Sequence, residues 1–175
     1  MITALTILAG LLAILIIIAL IMTGDMIIER TITINKPVRE VFNYLKLMKN
    51  QDNFSVWNMT DPKMKKNFLG TDGSVGCTYA WDSSTNKNVG AGEQEIIRLE
   101  EGKLIEYEIR FKRPMQNVAK SKFVVSAVSE NQTSVMWGFY SKSKFPMSIM
   151  KPVLEKMLGK NLQESLGNLK TLLEM

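Results

Sequence analysis

The sequence predicts an α+β protein: about seven antiparallel strands and a long C-terminal helix packed against their sheet, behind an apolar N-terminal segment. Three observations carry this. Between Ser148 and Met175, apolar residues recur at Met150, Val153, Leu154, Met157, Leu158, Leu162, Leu166, Leu169 and Leu172, the i, i+3, i+4 spacing of one helix face. From Val75 to Lys142 the chain reads as successive strands whose connections are too short for parallel crossovers. From Ile2 to Met22 no residue is charged.

The 175 residues include 22 Lys and Arg against 17 Asp and Glu, a net charge of +5. The first charge is Asp25, so the whole excess lies from there onward. A surplus of this size suits anionic lipid or nucleic acid and does not choose between them. There is no histidine, which removes the commonest general base and metal ligand. The single cysteine, Cys77, excludes an internal disulfide and a CxxC metal site. No metal ion or cofactor is expected. Twelve methionines suggest an adaptable apolar interior.

Residues 1–23 form the first unit. Only Thr3, Thr6 and Gly10 dilute its Leu/Ile/Ala run, and roughly 20 such residues at about 1.5 Å each span the ~30 Å hydrocarbon core. A cleaved signal peptide is the rival reading. Against it, the run has no basic n-region, exceeds the usual apolar stretch and lacks an A-x-A site before Asp25. The expectation is therefore a single-pass transmembrane anchor, with residues 24–175 as the soluble domain. No Lys or Arg precedes the span, whereas Arg30, Lys36, Arg39, Lys46 and Lys49 follow it. The positive-inside bias then places the domain on the cytoplasmic face of the cell membrane. An unpaired cysteine accords with a reducing compartment.

In the soluble part, Ile27 to Ile34 alternates with β-branched residues and predicts a first strand. Asn35 stands at a capping position and Pro37 in the first turn of a short helix with a stripe of Val38, Val41, Phe42 and Leu45. A second short helix is expected around Asn50 to Trp57. A strand from Lys63 to Leu69 follows, between the turn signals Asp61-Pro62 and Gly70 to Gly76. Further strands are expected at Val75–Asp82, Val89–Glu100, Lys103–Lys112, Ala119–Ser129 and Ser134–Lys142.

Glu101-Gly102 is expected to make a two-residue turn that pairs Glu100 with Lys103. Counting back sets Ile96 against Tyr107, Gln94 against Ile109, Glu93 against Arg110 and Gly92 against Phe111. One face then carries Glu93, Glu95, Glu106, Glu108, Arg110 and Lys112 and looks to water. The other carries Gln94, Ile96, Tyr107, Ile109 and Phe111 and looks to the core. Lys120 and Lys122 mark the outside of the next strand, turning Phe123, Val125 and Ala127 inward; Val135, Trp137 and Phe139 join them.

One strand, two small helices, six further strands and a long helix is an order that resembles the helix-grip fold. Ile34-Asn-Lys-Pro-Val-Arg-Glu-Val-Phe42 is similar to the opening of that family, a strand running into a proline-started helix. Gly73 to Trp81 and Val89 to Glu93 resemble its central hairpin; Ser134 to Gly138 and Phe145 to Met147 resemble its last strand and the approach to the long helix. Over Met26 to Leu173 the chain thus resembles the SRPBCC (START-related) superfamily, in its polyketide cyclase/dehydrase-like branch. The resemblance implies a curved sheet around the C-terminal helix, with an apolar cavity between them used for lipids, sterols, polyketides and aromatic compounds. Some relatives catalyse cyclisation or dehydration, and many only bind and carry. Membrane-tethered bacterial members of the branch are similar to the whole chain.

The expected ligand-binding set is Tyr79, Trp81, Gln94, Tyr107, Phe111, Phe123 and Trp137 from the sheet, facing Met157, Asn161 and Ser165 of the helix. Without the resemblance, these residues read as a filled core in which Asn161 and Ser165 bond backbone or water, because buried polar groups left unpaired cost about 1–3 kcal/mol each. With it, a cavity whose polar groups orient a mostly apolar ligand is favoured. Other patterns read as structural. Gly90-Ala-Gly92 imitates part of a dinucleotide fingerprint but lies inside a strand, where the glycines are expected to make room for Phe111. Glu93 and Glu95 resemble a catalytic carboxylate pair but fall on the outer face, with Glu93 opposite Arg110. Cys77 has no histidine to activate it.

Met115, Phe145, Pro146 and Met147 lie in loops expected near the cavity mouth, as a lid, a membrane-dipping rim or buried loop residues. Lys63, Lys65, Lys66, Lys142, Lys144 and Lys151 lie outside the core and, on a tethered domain, offer anionic headgroups about 1 kcal/mol each near the surface. Nucleic acid is not expected as a partner, because the aromatic residues are assigned to the core and leave no stacking platform. The reading is a membrane-anchored protein that binds a hydrophobic small molecule. The alternatives are a cyclase/dehydrase-like enzyme in the same cavity and a protein–protein regulatory module. Catalysis ranks below binding, because without histidine its acid–base groups would have to come from Tyr79, Tyr107 or an outer carboxylate; no catalytic residue is assigned.

Overall fold

Alternation of β-branched residues makes the first strand, β1 (Gly24–Ile34), whose inward residues Met26, Ile28 and Ile34 are buried. The structure, a computed structural model, describes residues 2–87, 89–143 and 145–175. Lys144, one of the expected basic residues, and the Met147 side chain lie outside the described set. After β1 come α2 (Val38–Leu45), a 3-10 turn (Met48–Asn53), α3 (Val56–Met59), then β2 (Lys65–Leu69), β3 (Thr78–Asp82), β4 (Ala91–Glu100), β5 (Leu104–Arg113), β6 (Asn117–Ser129) and β7 (Gln132–Ser143). A second 3-10 turn (Met147–Met150) leads into α4 (Lys151–Glu174).

The seven strands form one antiparallel sheet in the order β1-β7-β6-β5-β4-β3-β2. First and last strands pair, so the sheet curls around α4, which runs alongside β1. Lys170 Nζ donates to the Thr33 carbonyl at 2.6 Å, and the Asn35 N–H donates to Glu174 Oε1 at 2.6 Å. This is the helix-grip layout. The core lies between the inner face of the sheet, α2 and the buried stripe Leu162, Leu166, Leu169 and Leu173 of α4.

Several elements depart from the sequence reading. The β4–β5 connection is three residues, not two: Glu100 pairs with Leu104, the Lys103 N–H donates to the Glu100 carbonyl at 2.9 Å, and Gly102 takes φ +72°. A register shift between Ile96 and Arg98 compensates, so from Ile96↔Tyr107 to Gly92↔Phe111 the pairs are the expected ones. On the outer face Arg110 reaches Glu93, Glu95 and Glu108 at 2.7, 2.7 and 2.6 Å. The expected second helix divides at Phe54 into a 3-10 turn and the single-turn α3, whose start is capped by Ser55 accepting from the Asn58 N–H. Ala127 is exposed, because β6 runs past the core after Val125 and its pairing is interrupted between Ala127 and Ser129.

Room at Gly92 serves Trp81, not Phe111: a Cβ there would stand 2.6 Å from Trp81 Cζ2 and 2.7 Å from the Arg110 carbonyl oxygen. The long helix also differs in part. Met150, Val153 and Met157 point outward rather than at the sheet, because Leu154 and Leu158 take the inward positions of the first turns.

At the other end of the chain, α1 (Ile2–Ile21) is long and apolar enough to cross a membrane. Among its described side chains only Ala19 is buried, where the Ser148 hydroxyl donates to the Ala19 carbonyl. Met22 and Thr23 alone separate α1 from β1.

Candidate functional site

The inner faces of β2 to β7 carry an aromatic wall made of two runs of touching rings. Phe68 stacks on Tyr79 with ring centres 4.8 Å apart, Tyr79 neighbours Trp81 at 6.1 Å, and Trp81 meets Phe111 edge-on at 5.9 Å. Farther along, Tyr107 meets Phe123 at 6.2 Å and Phe123 meets Trp137 at 4.6 Å. Strand alternation produces this wall, since each ring occupies an inward position and its neighbours along the strand face water. Gln94 lies within it, directly across from Tyr79.

One ring closes the wall from the helix side. Phe54, at the break between the 3-10 turn and α3, is fully buried and packs edge-on against Trp137 at 5.9 Å and Phe123 at 6.4 Å. Its carbonyl accepts from Asn168 Nδ2 of α4 at 3.2 Å. Two residues on, the Val56 N–H donates to Ser165 Oγ at 2.9 Å, and Ser165 Oγ donates to the Asn161 carbonyl at 2.7 Å. Ser165 is thus a clip between α3 and α4. Phe54 fills the space between sheet and helix that the resemblance reserves for a cavity.

The tips of the tryptophans are satisfied. Trp137 Nε1 donates to Ser121 Oγ at 2.9 Å, and Trp81 Nε1 donates to the Val89 carbonyl at 3.2 Å. The polar groups between them are not. Tyr79 Oη, Tyr107 Oη and Gln51 Nε2 are buried without a hydrogen-bond partner. Gln51 comes from the 3-10 turn, and its Oε1 accepts from Gln94 Nε2 at 3.4 Å. Desolvation by burial pushes both phenols well above their ordinary value; the Asp52 charge adds to the effect at Tyr79, while at Tyr107 the neighbouring Gln51 side chain, short of full hydrogen-bond geometry, partly offsets it. Both therefore stay protonated, and each of the two hydroxyls, like the Gln51 amide, carries a donor in an apolar setting. Such a group complements a carbonyl or carboxyl oxygen and is unsuited to removing a proton.

Of the ten expected site residues, the structure gathers Tyr79, Trp81, Gln94, Tyr107, Phe111, Phe123 and Trp137 on one surface. Ser165 lies behind Phe54, and Asn161 is half-buried one turn earlier. Met157 is turned away from the sheet and is 46% exposed. Sequence reading missed Gln51 and Phe54. Their signal was present as Met48, Gln51 and Phe54 at three-residue steps, the period of a 3-10 helix, and all three are buried. Among the described residues no group of three or more Cys, Asp or Glu side chains gathers to hold a metal ion. Two concavities of about 320 and 420 Å³ open on the outer face of the sheet, around Tyr140 and Lys120, across the sheet from the inner wall.

The family model for polyketide cyclase / dehydrase and lipid transport matches residues 26–174. No curated protein matches the sequence. Among solved structures, norcoclaurine synthase from Thalictrum flavum, in complex with dopamine and hydroxybenzaldehyde, is similar with a TM-score of 0.66 at 11% identity, covering 90% of this chain and 91% of that one. A protein of Chromobacterium violaceum is similar with a TM-score of 0.60 at 14% identity, covering 86% and 98%. One from Nitrosospira multiformis reaches 0.56 at 15% identity, covering 83% and 94%. At these identities the likeness is one of fold.

Proposed function

The chain belongs to the polyketide cyclase/dehydrase and lipid transport family, and from that premise we propose that it is a membrane-anchored binding protein for one hydrophobic small molecule with a polar acceptor at one end. The family supports a hydrophobic-ligand-binding domain. The observation that carries the finer reading is the set of three unpartnered donors, Tyr79 Oη, Tyr107 Oη and Gln51 Nε2, buried in an aromatic wall. Each unmet donor costs about 1–3 kcal/mol, a cost that a ligand carbonyl or carboxyl oxygen removes. The apolar body of the ligand replaces Phe54, whose segment is tied to α4 by the Asn168 and Ser165 bonds. Small aromatic molecules held by the similar norcoclaurine synthase accord with such a wall.

In this reading residues 1–23 are the transmembrane anchor and 24–175 the ligand-binding domain on the cytoplasmic side. Binding is favoured over catalysis because burial holds both tyrosines in their neutral form, leaving the wall without a base. The test is native mass spectrometry of the full chain taken from its own membrane, with chemical analysis of what accompanies it. A stoichiometric apolar molecule that is lost in the Tyr79→Phe/Tyr107→Phe variant, with folding intact, is the expected result. A protein that arrives empty and also excludes hydrophobic dyes would overturn the reading.

A further inference from the structure

The end of the sheet next to α1 carries an apolar surface that the fold leaves uncovered. Phe145, Ile149, Met150, Val153 and Met157 are all exposed, at 49, 38, 41, 58 and 46%. On α4 the outward apolar residues cluster in the first two turns, with Leu172 near the other end the remaining one, at 37%. Beyond Met157 the outward positions are Lys160, Gln163, Glu164, Thr171, Leu172 and Glu174, of which only Leu172 is apolar. A helix that met only water would have no reason to change character at that point.

The change coincides with the position of α1. Ser148, within the same 3-10 turn, bonds the Ala19 carbonyl near the last turn of α1, and two residues join α1 to β1. Antiparallel pairing brings the 113–117 loop to this end as well, with Met115 exposed, since Asn117 Nδ2 donates to Ser141 Oγ at 3.0 Å. Positive charge is present at this end too. Lys63, Lys65, Lys87, Lys142 and Lys156 are exposed here. Nearby acids are engaged: Asp82 pairs with Arg113 at 2.5 Å, Glu155 lies 4.0 Å from Lys151, and Asp61 accepts from the Ser83 and Thr85 hydroxyls. Asp25 is the exposed exception.

We propose that this end of the domain is seated on the anionic phospholipid leaflet from which α1 emerges, with Phe145, Ile149 and the outward face of the first two turns of α4 at the acyl boundary and the lysines among the headgroups. Apolar residues on an interfacial helix sit about 5–10 Å into that boundary, and each nearby lysine adds about 1 kcal/mol at the surface. The inference rests on the reading of α1 as a membrane span and adds where the domain lies and what it touches.

The test uses the full chain in nanodiscs of mixed anionic and zwitterionic phospholipid, some carrying bromine on the acyl chain. Single variants Phe145→Cys, Val153→Cys and Met157→Cys are labelled with an environment-sensitive fluorophore; Cys77 is buried and stays unlabelled. Leu12→Cys reports on α1, and Val128→Cys, exposed at the opposite end of the sheet, is the control. Expected are a blue shift and bromine quenching at 145, 153 and 157, with none at 128, and a loss of that quenching when the anionic lipid is withdrawn. Quenching at 12 without quenching at 145, 153 and 157 overturns the seating and leaves the anchor standing. Absence of quenching at 12 overturns the anchor, and the seating with it. Quenching that persists without anionic lipid removes the lysines from the proposal.

Discussion

Tyr107 places a hydroxyl among Ile96, Phe123 and the other core side chains with 1% of its surface exposed and no partner for its oxygen. An unpaired buried hydroxyl costs about 1–3 kcal/mol, so replacing it should not harm the empty fold. Tyr107→Phe is expected to leave urea stability unchanged or raise it by up to about 1 kcal/mol, while weakening retention of the ligand. A loss of stability would mean that the hydroxyl is satisfied in the free protein. Carboxylates act in the opposite sense. Asp61 is held below the usual carboxylate range by the Ser83 and Thr85 hydroxyls, Glu93 by Lys112 and Arg110, and Glu174 by the Asn35 N–H. A depressed folded value contributes stability above the unfolded value and loses it as pH falls through the folded one. The melting temperature should therefore fall below about pH 4, and Asp61→Asn should flatten that fall. Alternation counted from the β4–β5 turn was enough to put Tyr107 inward; no such count reached Tyr79, whose inward position came with the pairing of β3 and β4. That their hydroxyls lack partners was not legible, because satisfaction depends on what Gln51, far away in sequence, brings to them.

At the scale of elements, α4 has two different apolar faces. Leu166 is fully buried, whereas Met157 lies in the open. Leu166→Ala is expected to cost about 2–5 kcal/mol, and Met157→Ser less than about 0.5 kcal/mol, in denaturant titrations of the detergent-solubilised chain. Equal costs would mean that Met157 is covered. Periodicity located this helix and its apolar residues but merged two stripes into one, since spacing says which residues share a face and not which neighbour covers it. The β4–β5 hairpin makes a similar point. Two errors in the expected turn, its length and the missing shift at Ile96–Arg98, offset one another, because the charged and apolar faces permit only one parity below the turn.

At the scale of the whole molecule, α1 and the domain are joined by Met22 and Thr23 and held by the Ser148–Ala19 bond. The proposed anchor predicts that the full chain stays with membranes through an alkaline wash and leaves only with detergent. A reporter fused after Met175 should be active on the cytoplasmic side. Activity on the opposite side would reverse the positive-inside reading and leave the fold untouched.

The amino-acid sequence by itself determined the α+β class, the order of elements along the chain, the inward parity of Tyr107, Phe111, Phe123 and Trp137, and the family resemblance. Each of these is local: a period of two or 3.6 residues, or a short motif, expresses it without reference to the rest of the chain. Tertiary structure decided what depends on pairs distant in sequence. Phe54 fills the space under α4 because Asn168 and Ser165, more than a hundred residues later, hold its segment. Met150, Val153 and Met157 face outward because Leu154 and Leu158 take the inward positions against the core. Burial is a property of packing between elements, and no single helix or strand encodes its own neighbours.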